Sequence, residues 1–488
     1  MSLIREGVEW ASMEVEAATP CANCERLQAQ VQALTATVAE LQAALAQVQA
    51  QLAAARKDSS TSSKPPSSDI VKPPKPLPPP GQEQRRRGGQ PGHPKHERPL
   101  APPELLTAPP HDYLPEICPD CGHGLRPAGD DVRVVQQIEI ARVPILIEEH
   151  RSHPGWCPHC RTVHYGALPA VVERGGVAGP RLTTLIAYLK GACHASYGTI
   201  RKFLRDVLHV PIARGQLAKI IGKVSAALEQ PYQELLADLP LQALLNVDET
   251  GHKHNGERWW AWCFRASLYT LFKIDPTRSG DVLIEVLGKE FKGVLGCDYY
   301  GAYRRYLREF GVLLQFCLAH LIRDVKFLLT LPGTTVRAYG ERLREALRGL
   351  FAVIHRREGL SASVFQAQLE AARQAVLRAG TQDVPEEKHC RNLAKRLEKH
   401  GESYFRFLTT PGVEPTNNLA EQAIRFVVID RLVTQGTRSA AGDRWCERIW
   451  TVIATCAQQG RSVFDYLYAA VEAHFHKAEV PSLLPNQG

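Results

Sequence analysis

A heptad pattern of apolar residues runs through positions 27–52. These residues alternate in steps of four and three: Leu27, Val31, Leu34, Val38, Leu41, Leu45, Val48 and Leu52. Such a seam predicts an amphipathic helix that pairs with a second one, and its mixture of Val and Leu favours a parallel two-stranded coil. We therefore expect a coiled-coil domain at 1–57 that forms a homodimer or higher oligomer through 27–52. The alternative is a single helix packed on its own domain, but a proline-rich segment follows at once.

Helical periodicity returns at 180–230, with breaks at 193–196 and 209–215. The pattern predicts three short helices, the last of which places apolar residues on one face and polar residues on the other. A helix-turn-helix that reads the major groove and an ordinary helical bundle both fit this pattern. In the first case a helical DNA-binding domain spans 176–238, and its DNA contacts fall on Arg214, Gln216, Lys219 and Lys223.

From residue 241 the pattern changes to short runs of aromatic and β-branched residues, which are typical of strands. The predicted order is β-β-β-α-β-α-β, with strands at 242–247, 259–267, 268–274, 291–297 and 312–317 and helices at 281–287 and 299–310. This is the order of a ribonuclease-H-like fold, in which the first and fourth strands are neighbours. Long amphipathic helices at 321–410 form a helical insertion. The catalytic core therefore comprises 239–320 and 411–475, and a tail follows at 476–488.

Three carboxylates lie at the ends of predicted strands or at the start of a predicted helix. Asp248 follows the first predicted strand, Asp298 follows the fourth, and Glu421 begins a helix after the insertion. Divalent cations such as Mg²⁺ prefer oxygen ligands, and two ions about 3.5–4 Å apart promote in-line phosphoryl displacement. The trio predicts a catalytic site for two Mg²⁺ or Mn²⁺ ions, with Asp248 bridging them.

Each of these acids also has a structural interpretation. Asp248 and Asp298 each suit the cap of a turn after a strand. Glu421 stands three residues after Asn418, which is the spacing of a helix capping box. Glu249 is expected on the opposite face of its strand, in a structural role. The rivals for the second acid are Asp281 and Asp324.

Basic residues near the trio are candidates for DNA contact. His320 and Arg323 lie three apart on the helix after the fifth strand. They either contact a phosphate or belong to the solvated start of that helix. Arg425 lies one turn after Glu421 and either pairs with it or holds DNA.

Charge and composition add a second region of interest. The chain has 488 residues and a formal net charge of +8. Residues 64–98 hold eight Lys or Arg against three Asp or Glu, so they supply +5 of that charge. A basic, Pro-rich linker at 58–110 is either a solvated tether or a segment that binds a polyanion. In the second case Arg85, Arg86 and Arg87 are DNA contacts.

Two Cys-x-x-Cys motifs frame the next segment. Each motif turns two sulfurs toward one point, which suits a tetrahedral zinc ion. A strand pair predicted at 132–140 and 144–150 makes the segment a zinc-ribbon domain at 111–175. A closed four-sulfur site predicts one structural zinc without a catalytic role. Its ligands are Cys118, Cys121, Cys157 and Cys160; Cys21 and Cys24 form a weaker third pair.

The chain shows neither the residue order of a signal peptide nor a run of about 18 apolar residues. We therefore expect a cytoplasmic protein with no membrane contact, associated with the bacterial nucleoid if it acts on DNA. Thiols stay reduced in that compartment, which favours metal ligands over disulfides among the thirteen Cys.

Over nearly its whole length the chain resembles the insertion-sequence-66 family of bacterial transposases. The resemblance rests on the order and number of matching segments, which lie at 62–69, 88–93, 118–122, 157–160, 247–250, 298–303, 317–323 and 416–425.

This resemblance implies a multidomain α+β and α/β protein that acts as a DNA transposase. It implies an Asp-Asp-Glu triad at Asp248, Asp298 and Glu421, with a helical insertion before the third acid. The implied partners are double-stranded DNA, at the element ends and the target, and possible small accessory proteins of the same element. Two alternatives are a non-catalytic, zinc-containing DNA-binding protein derived from a transposase and a structure-specific nuclease on the same fold.

Overall fold

The computed structural model describes residues 22–55, 100, 102–105, 109, 145–157, 159, 161–165 and 167–484. The first element is a continuous helix, α1 (Ala22–Ala55), which confirms the helix predicted from the heptads. Its eight seam residues are 47–65 % exposed in the single chain. Pairing with a second helix remains a prediction.

A two-stranded hairpin includes the backbone of Cys157, the first cysteine of the second Cys-x-x-Cys motif. Strands β1 (Pro154–Cys157) and β2 (Thr162–Tyr165) pair antiparallel. The strand predicted at 144–150 is wrong for 145–150, where the backbone is not in a strand. Leu146 and Ile147 are 93 % and 91 % exposed, so this apolar run lacks the packing that would hold a strand. The following predictions lie outside the described residues: strand 132–140, Arg85, Arg86, Arg87, Cys21, Cys118, Cys121, Cys160 and the side chains of Cys24 and Cys157.

Five helices follow the hairpin: α2 (Ala170–Gly175), α3 (Pro180–Gly191), α4 (Tyr197–Leu208), α5 (Arg214–Ala227) and α6 (Glu229–Asp238). The three predicted helices correspond to α3, α4 and α5, and the first predicted break falls between α3 and α4. The second break begins at His209, which takes a left-handed conformation after α4. The apolar face of α5 is buried, as the periodicity predicts, through Leu217, Ile220, Ile221 and Val224.

A five-stranded mixed sheet lies in the second half of the chain. Its strands are β3 (Leu244–His254), β4 (Glu257–Arg265), β5 (Thr270–Asp275), β6 (Val294–Cys297) and β7 (Leu313–Phe316). The spatial order is β5-β4-β3-β6-β7. Strand β4 pairs antiparallel with β3 and β5, whereas β3, β6 and β7 run parallel. This mixed sheet is consistent with a ribonuclease-H-like core, and the predicted proximity of the first and fourth strands is confirmed.

Strand β3 is longer than predicted, and Asp248 lies inside it instead of after it. The ladder with β4 continues to His254, which pairs with Glu257 across the two-residue turn Asn255-Gly256. Both turn residues have positive φ, as tight hairpins require. The apolar run predicted only the first half of the strand, because its second half contains charged and polar residues whose pairing with β4 sustains it.

α-Helices lie between the strands of the sheet and between the last strand and the third acid, Glu421. Two lie between sheet strands, α7 (Asp281–Leu287) and α8 (Gly301–Phe310). Four follow β7: α9 (Leu318–Leu328), α10 (Thr334–His355), α11 (Ala362–Thr381) and α12 (Lys388–Tyr404). The helices predicted within the insertion correspond to α10 and α11. Helix α12 returns to pack on β7 and α9.

The last three helices are α13 (Asn418–Thr434), α14 (Ala440–Gln458) and α15 (Val463–His476). Helix α14 covers the edge strand β5, whose outward amides would otherwise be unpaired. The amides of Thr270, Phe272 and Ile274 donate to side chains four apart on α14: Thr455 (3.2 Å), Thr451 (3.0 Å) and Glu447 (2.7 Å). Four helical residues rise about 6 Å and two strand residues about 6.7 Å, so the two rows stay in step.

No helix among the described residues is long and apolar enough to cross a membrane.

Candidate active site

Four chain segments converge at the carboxyl ends of the parallel strands. Asn246 of β3 lies opposite Gly296 of β6, and Asp298 follows β6 directly. Cys317 follows β7 and donates its amide to the Cys297 carbonyl at 2.8 Å. The next amide, that of Leu318, donates to the carbonyl of Pro415 at 2.9 Å. The segment before α13 is therefore fixed to the same edge of the sheet.

The structure brings Asp248, Asp298 and Glu421 into one electrostatic cluster. The pKa of Asp248 is raised well above its usual value, first by burial and then by the charges of Glu249, Asp298 and Glu421. Burial also raises the pKa of Asp298, and Glu421 adds to that rise. Carboxylates that repel each other in this way have lost water without gaining a sufficient countercharge. A bound cation would supply it.

The turn-cap interpretation is confirmed for Asp298 and wrong for Asp248. Asp298 does cap a turn, because its Oδ1 accepts the amide of Tyr300 at 2.8 Å. Asp248 lies within β3, so it caps no turn after a strand, and its Oδ1 accepts the adjacent Glu249 amide at 3.0 Å.

Glu421 does not cap its helix. The N-cap of α13 is Asn417, and no side chain makes a capping hydrogen bond there, so the capping-box interpretation is wrong. Instead Glu421 Oε2 lies 3.5 Å from Arg323 Nη2, and Oε1 lies 3.6 Å from His320 Nδ1. Arg425 is exposed, and among the described residues the ion-pair partners of Glu421 are Arg323 and His320.

A buried asparagine links the start of α13 to the sheet. Asn417 is 1 % exposed. Its Nδ2 donates to the Val247 carbonyl (2.8 Å), and its Oδ1 accepts from Asn246 Nδ2 (3.0 Å). Its amide donates to Cys317 Sγ (3.1 Å). Gly296 makes room for this network, because a Cβ at that position would lie 2.4 Å from Asn246 Nδ2.

Glu249 is held in a buried network beside the acid cluster. Its carboxylate pairs with Arg278 (2.5 Å) and accepts a short hydrogen bond from the Tyr303 hydroxyl. Burial and the charge of Asp298 raise the pKa of Glu249 to about 7, against the opposing effects of Arg278 and Tyr303. The guanidinium of Arg278 also covers the ring of Tyr300 at 3.7 Å. These contacts support the structural role that the sequence predicts for Glu249.

The helical insertion contributes a cation to this site. Arg396 of α12 lowers the pKa of Asp298, and its guanidinium lies 4.1 Å from the ring centre of Tyr299. Arg396 also pairs with Asp324 at 2.7 Å. The other rival acid, Asp281, is exposed and pairs with Arg305 at 3.0 Å. Sequence reasoning missed Arg396 and Arg278 and assigned no contact to Asn417, because their roles depend on contacts between distant segments.

His320 lies in a buried setting beside two cations. Burial, together with Arg323 and Arg396, lowers its pKa to about 4. A negatively charged phosphate would oppose this effect, and a neutral imidazole can still donate a hydrogen bond. The phosphate contacts of His320 and Arg323 stay predictions.

The predicted DNA contacts on α5 divide into two groups. Arg214 and Lys219 are exposed, and Gln216 is partly exposed. Lys223 is half-buried, and its ammonium donates to the carbonyls of Arg174 (2.5 Å) and Gly175 (3.0 Å). Lys223 thus binds the carboxyl end of α2, which competes with any contact to DNA.

The fold and the site together define a mixed α/β protein whose clustered acids suit divalent cations. A family model, the IS66 transposase family, matches residues 175–444. The chain belongs to that family. Residues 115–161 match the zinc-finger binding domain of IS66 transposases, and residues 17–99 match a family of unknown function. No curated protein matches the chain. The zinc-finger match supports zinc binding, and the transposase match supports DNA as the partner.

Proposed function

We propose that this transposase binds the ends of its insertion element, cleaves the DNA and joins the freed strands to a target. Asp248, Asp298 and Glu421 are the proposed catalytic triad. The observation that carries this proposal is the convergence of the three acids from β3, β6 and α13, where their charges act on the pKa of Asp248.

Asp248, Asp298 and Glu421 would hold the proposed pair of divalent ions, Mg²⁺ or Mn²⁺. Such ions would supply a lower pKa for the attacking hydroxyl and a countercharge for the leaving oxygen. The protein's own groups hold the acids in place. The Tyr300 amide fixes one oxygen of Asp298, and the Asn417 network fixes the start of the helix that carries Glu421.

Several parts of the chain are proposed to hold DNA and zinc. The helical domain at 176–238 offers exposed Arg214 and Lys219 with Gln216 beside them. Arg323 and Arg425 lie near Glu421, and Arg85, Arg86 and Arg87 in the linker add charge without sequence specificity. One structural zinc is assigned to Cys118, Cys121, Cys157 and Cys160.

A nicking assay on DNA that carries the element ends tests the proposal. A transposase nicks the end DNA when Mg²⁺ is present. A footprint on the ends without cleavage favours the non-catalytic binding protein. Cleavage of any branched DNA without preference for the ends favours the structure-specific nuclease.

Divalent ions are expected to stabilise the protein at high pH more than at low pH. The raised pKa values of Asp248, Asp298 and Glu249 mean that these three acids bind protons more tightly in the folded chain than in the unfolded one. Ionisation therefore destabilises the fold progressively as pH rises from about 4 toward the pKa of about 7 at Glu249. At pH 8, saturating Mn²⁺ should raise the melting temperature by roughly 2–5 °C. At pH 5.5 the rise should be smaller, because protons compete with the ion.

Asp248→Asn is the matched control for that measurement. It removes one like charge, so it should raise the melting temperature without Mn²⁺ and reduce the response to the ion. Asp281→Asn, at an exposed acid, should leave the Mn²⁺ response of the wild type intact. An equal Mn²⁺ response in Asp248→Asn and wild type would place the ion elsewhere.

The exposed seam of α1 is expected to pair two chains. Replacing Leu34 and Leu41 with Asp puts charges at the centre of a coiled-coil interface, where they are costly to bury. Sedimentation velocity should then show a smaller species than the wild type. The control carries the same two charges at outward positions, Ala36→Asp with Ala43→Asp, and should keep the mass of the wild type. An unchanged mass in the seam variant would contradict the prediction.

A further inference from the structure

The first turns of α9 and α13 bring three different ligand atoms together. Cys317, His320 and Glu421 each offer one such atom, and these atoms all lie within 4.8 Å of one another. Cys317 and His320 stand at the start of one helix in the order Cys-x-x-His, and Glu421 reaches them from the other helix. Sulfur, imidazole nitrogen and carboxylate oxygen are together a donor set for Zn²⁺-like ions, whereas Mg²⁺ avoids sulfur.

Two of these groups have unsatisfied polar atoms. His320 is 8 % exposed. Within the described residues its Nδ1 and the Glu421 Oε1 are buried without a hydrogen-bond partner. The two atoms face each other at 3.6 Å, which is too long for a hydrogen bond. Buried polar atoms of this kind are costly and point to a missing ligand.

The third group is a buried thiol at the start of a helix. Cys317 is the N-cap residue of α9, and its Sγ accepts the amide of Asn417 at 3.1 Å. Burial raises the pKa of this thiol, and the amide of Asn417 opposes that rise. A bound cation would stabilise the thiolate. The separation of the other two atoms also fits, because a tetrahedral ion with bonds of about 2.0–2.3 Å holds its ligand atoms roughly 3.3–3.8 Å apart.

Arg323 supplies a positive charge beside His320 and Glu421, where such an ion would also supply one. Its Nη1 lies 3.2 Å from His320 Nε2, and its Nη2 lies 3.5 Å from Glu421 Oε2. A guanidinium always donates, so this contact requires Nε2 to accept and places the imidazole proton on Nδ1. A metal ion on Nδ1 requires the opposite tautomer. Arg323 must therefore move away, and its partly exposed side chain has solvent to move into.

We propose that Cys317, His320 and Glu421 form a site for a borderline transition-metal ion, with Zn²⁺ as the representative, and that Arg323 competes with the ion. On binding, the thiol of Cys317 releases one proton to solvent, the imidazole proton passes to Nε2, and the fourth position of the ion is left for water. No oxidation is involved. If Glu421 is also the third catalytic acid, which rests on the proposed function, a Zn²⁺ ion held here takes Glu421 from the Mg²⁺ reaction and inhibits cleavage.

Metal binding to the metal-free full-length chain, without DNA, tests the site separately from catalysis. Co²⁺ is the probe, because its thiolate absorption band reports only ions bound to sulfur, and the carboxylates of the proposed catalytic site give no such band. Wild type should hold two thiolate-bound ions, one of them in the zinc ribbon. Cys317→Ser and His320→Ala should each hold one such ion, and so should the ribbon variant Cys118→Ser with Cys157→Ser. Cys456→Ser, at a buried cysteine of α14, should hold two.

The variant Arg323→Gln distinguishes a metal site from a purely structural role of Cys317. Removing the competing cation should tighten Co²⁺ binding at this site by roughly tenfold, which corresponds to 1.4 kcal/mol. Equal amounts of thiolate-bound Co²⁺ in wild type, Cys317→Ser and His320→Ala would overturn the site, as would unchanged affinity in Arg323→Gln. In the cleavage assay, Zn²⁺ added over saturating Mg²⁺ should inhibit wild type more than Cys317→Ser. Two bound ions without this inhibition would retain the site and refute the catalytic role of Glu421.

Discussion

Asp298→Asn is expected to lower the rate of Mg²⁺-dependent nicking of element-end DNA by roughly a thousandfold or more, the scale of losing a residue at the reacting centre. Asn keeps the shape of Asp and can still accept the amide of Tyr300, which Asp298 Oδ1 accepts at 2.8 Å. The substitution therefore removes the charge and leaves the turn after β6 in place. A loss of this size in a folded variant would identify the carboxylate as a ligand of the reacting metal ions.

Asp248→Asn and Glu421→Gln should cause losses of the same order. The matched control is Asp281→Asn, because Asp281 is the rival acid that lies exposed and pairs with Arg305 at 3.0 Å. This variant should cleave at the wild-type rate. Undiminished cleavage by Asp298→Asn, or a thousandfold loss in Asp281→Asn, would sink the proposed triad.

Local pattern predicted much of the fold, because most elements bury an apolar face that their own residues define. The three helices at 180–230 and the five strands of the sheet follow from such patterns. The second half of β3 does not, because Glu249, Thr250 and His252 are polar residues whose strand conformation depends on the ladder with β4. The segment at 145–150 shows the converse. Its apolar run resembles a strand, but its side chains are exposed.

The candidate site could be predicted in part for the same reason. The acids follow or lie within strands whose neighbours the element order predicts, so Asp248 and Asp298 could be placed together from sequence. The residues that surround these acids could not be predicted. Arg396 reaches Asp298 from the helical insertion, and His320 meets Glu421 across two helices. Contacts of this kind depend on how distant helices pack, which no local pattern contains.

Asn417→Ala is expected to lower the free energy of unfolding of the core by about 2–4 kcal/mol. The substitution leaves the Val247 carbonyl and the Asn246 amide group without the partners that Asn417 supplies. Each buried polar group left unpaired costs about 1–3 kcal/mol. The start of α13 also loses its attachment to β3. The Mg²⁺ concentration for half-maximal cleavage should then rise roughly 10- to 100-fold, as when a residue that orients a metal ligand is removed.

Asn418→Ala separates this effect from a general weakening of the helix start. Asn418 is the next residue and is exposed, so its loss should change stability by no more than about 0.5 kcal/mol. Urea unfolding followed by tryptophan fluorescence measures both variants, and the Mg²⁺ dependence of cleavage is measured well below the unfolding transition. If both variants unfold alike, the buried network does not hold α13. If Asn417→Ala loses stability but keeps the Mg²⁺ dependence of the wild type, Asn417 supports the fold without positioning Glu421.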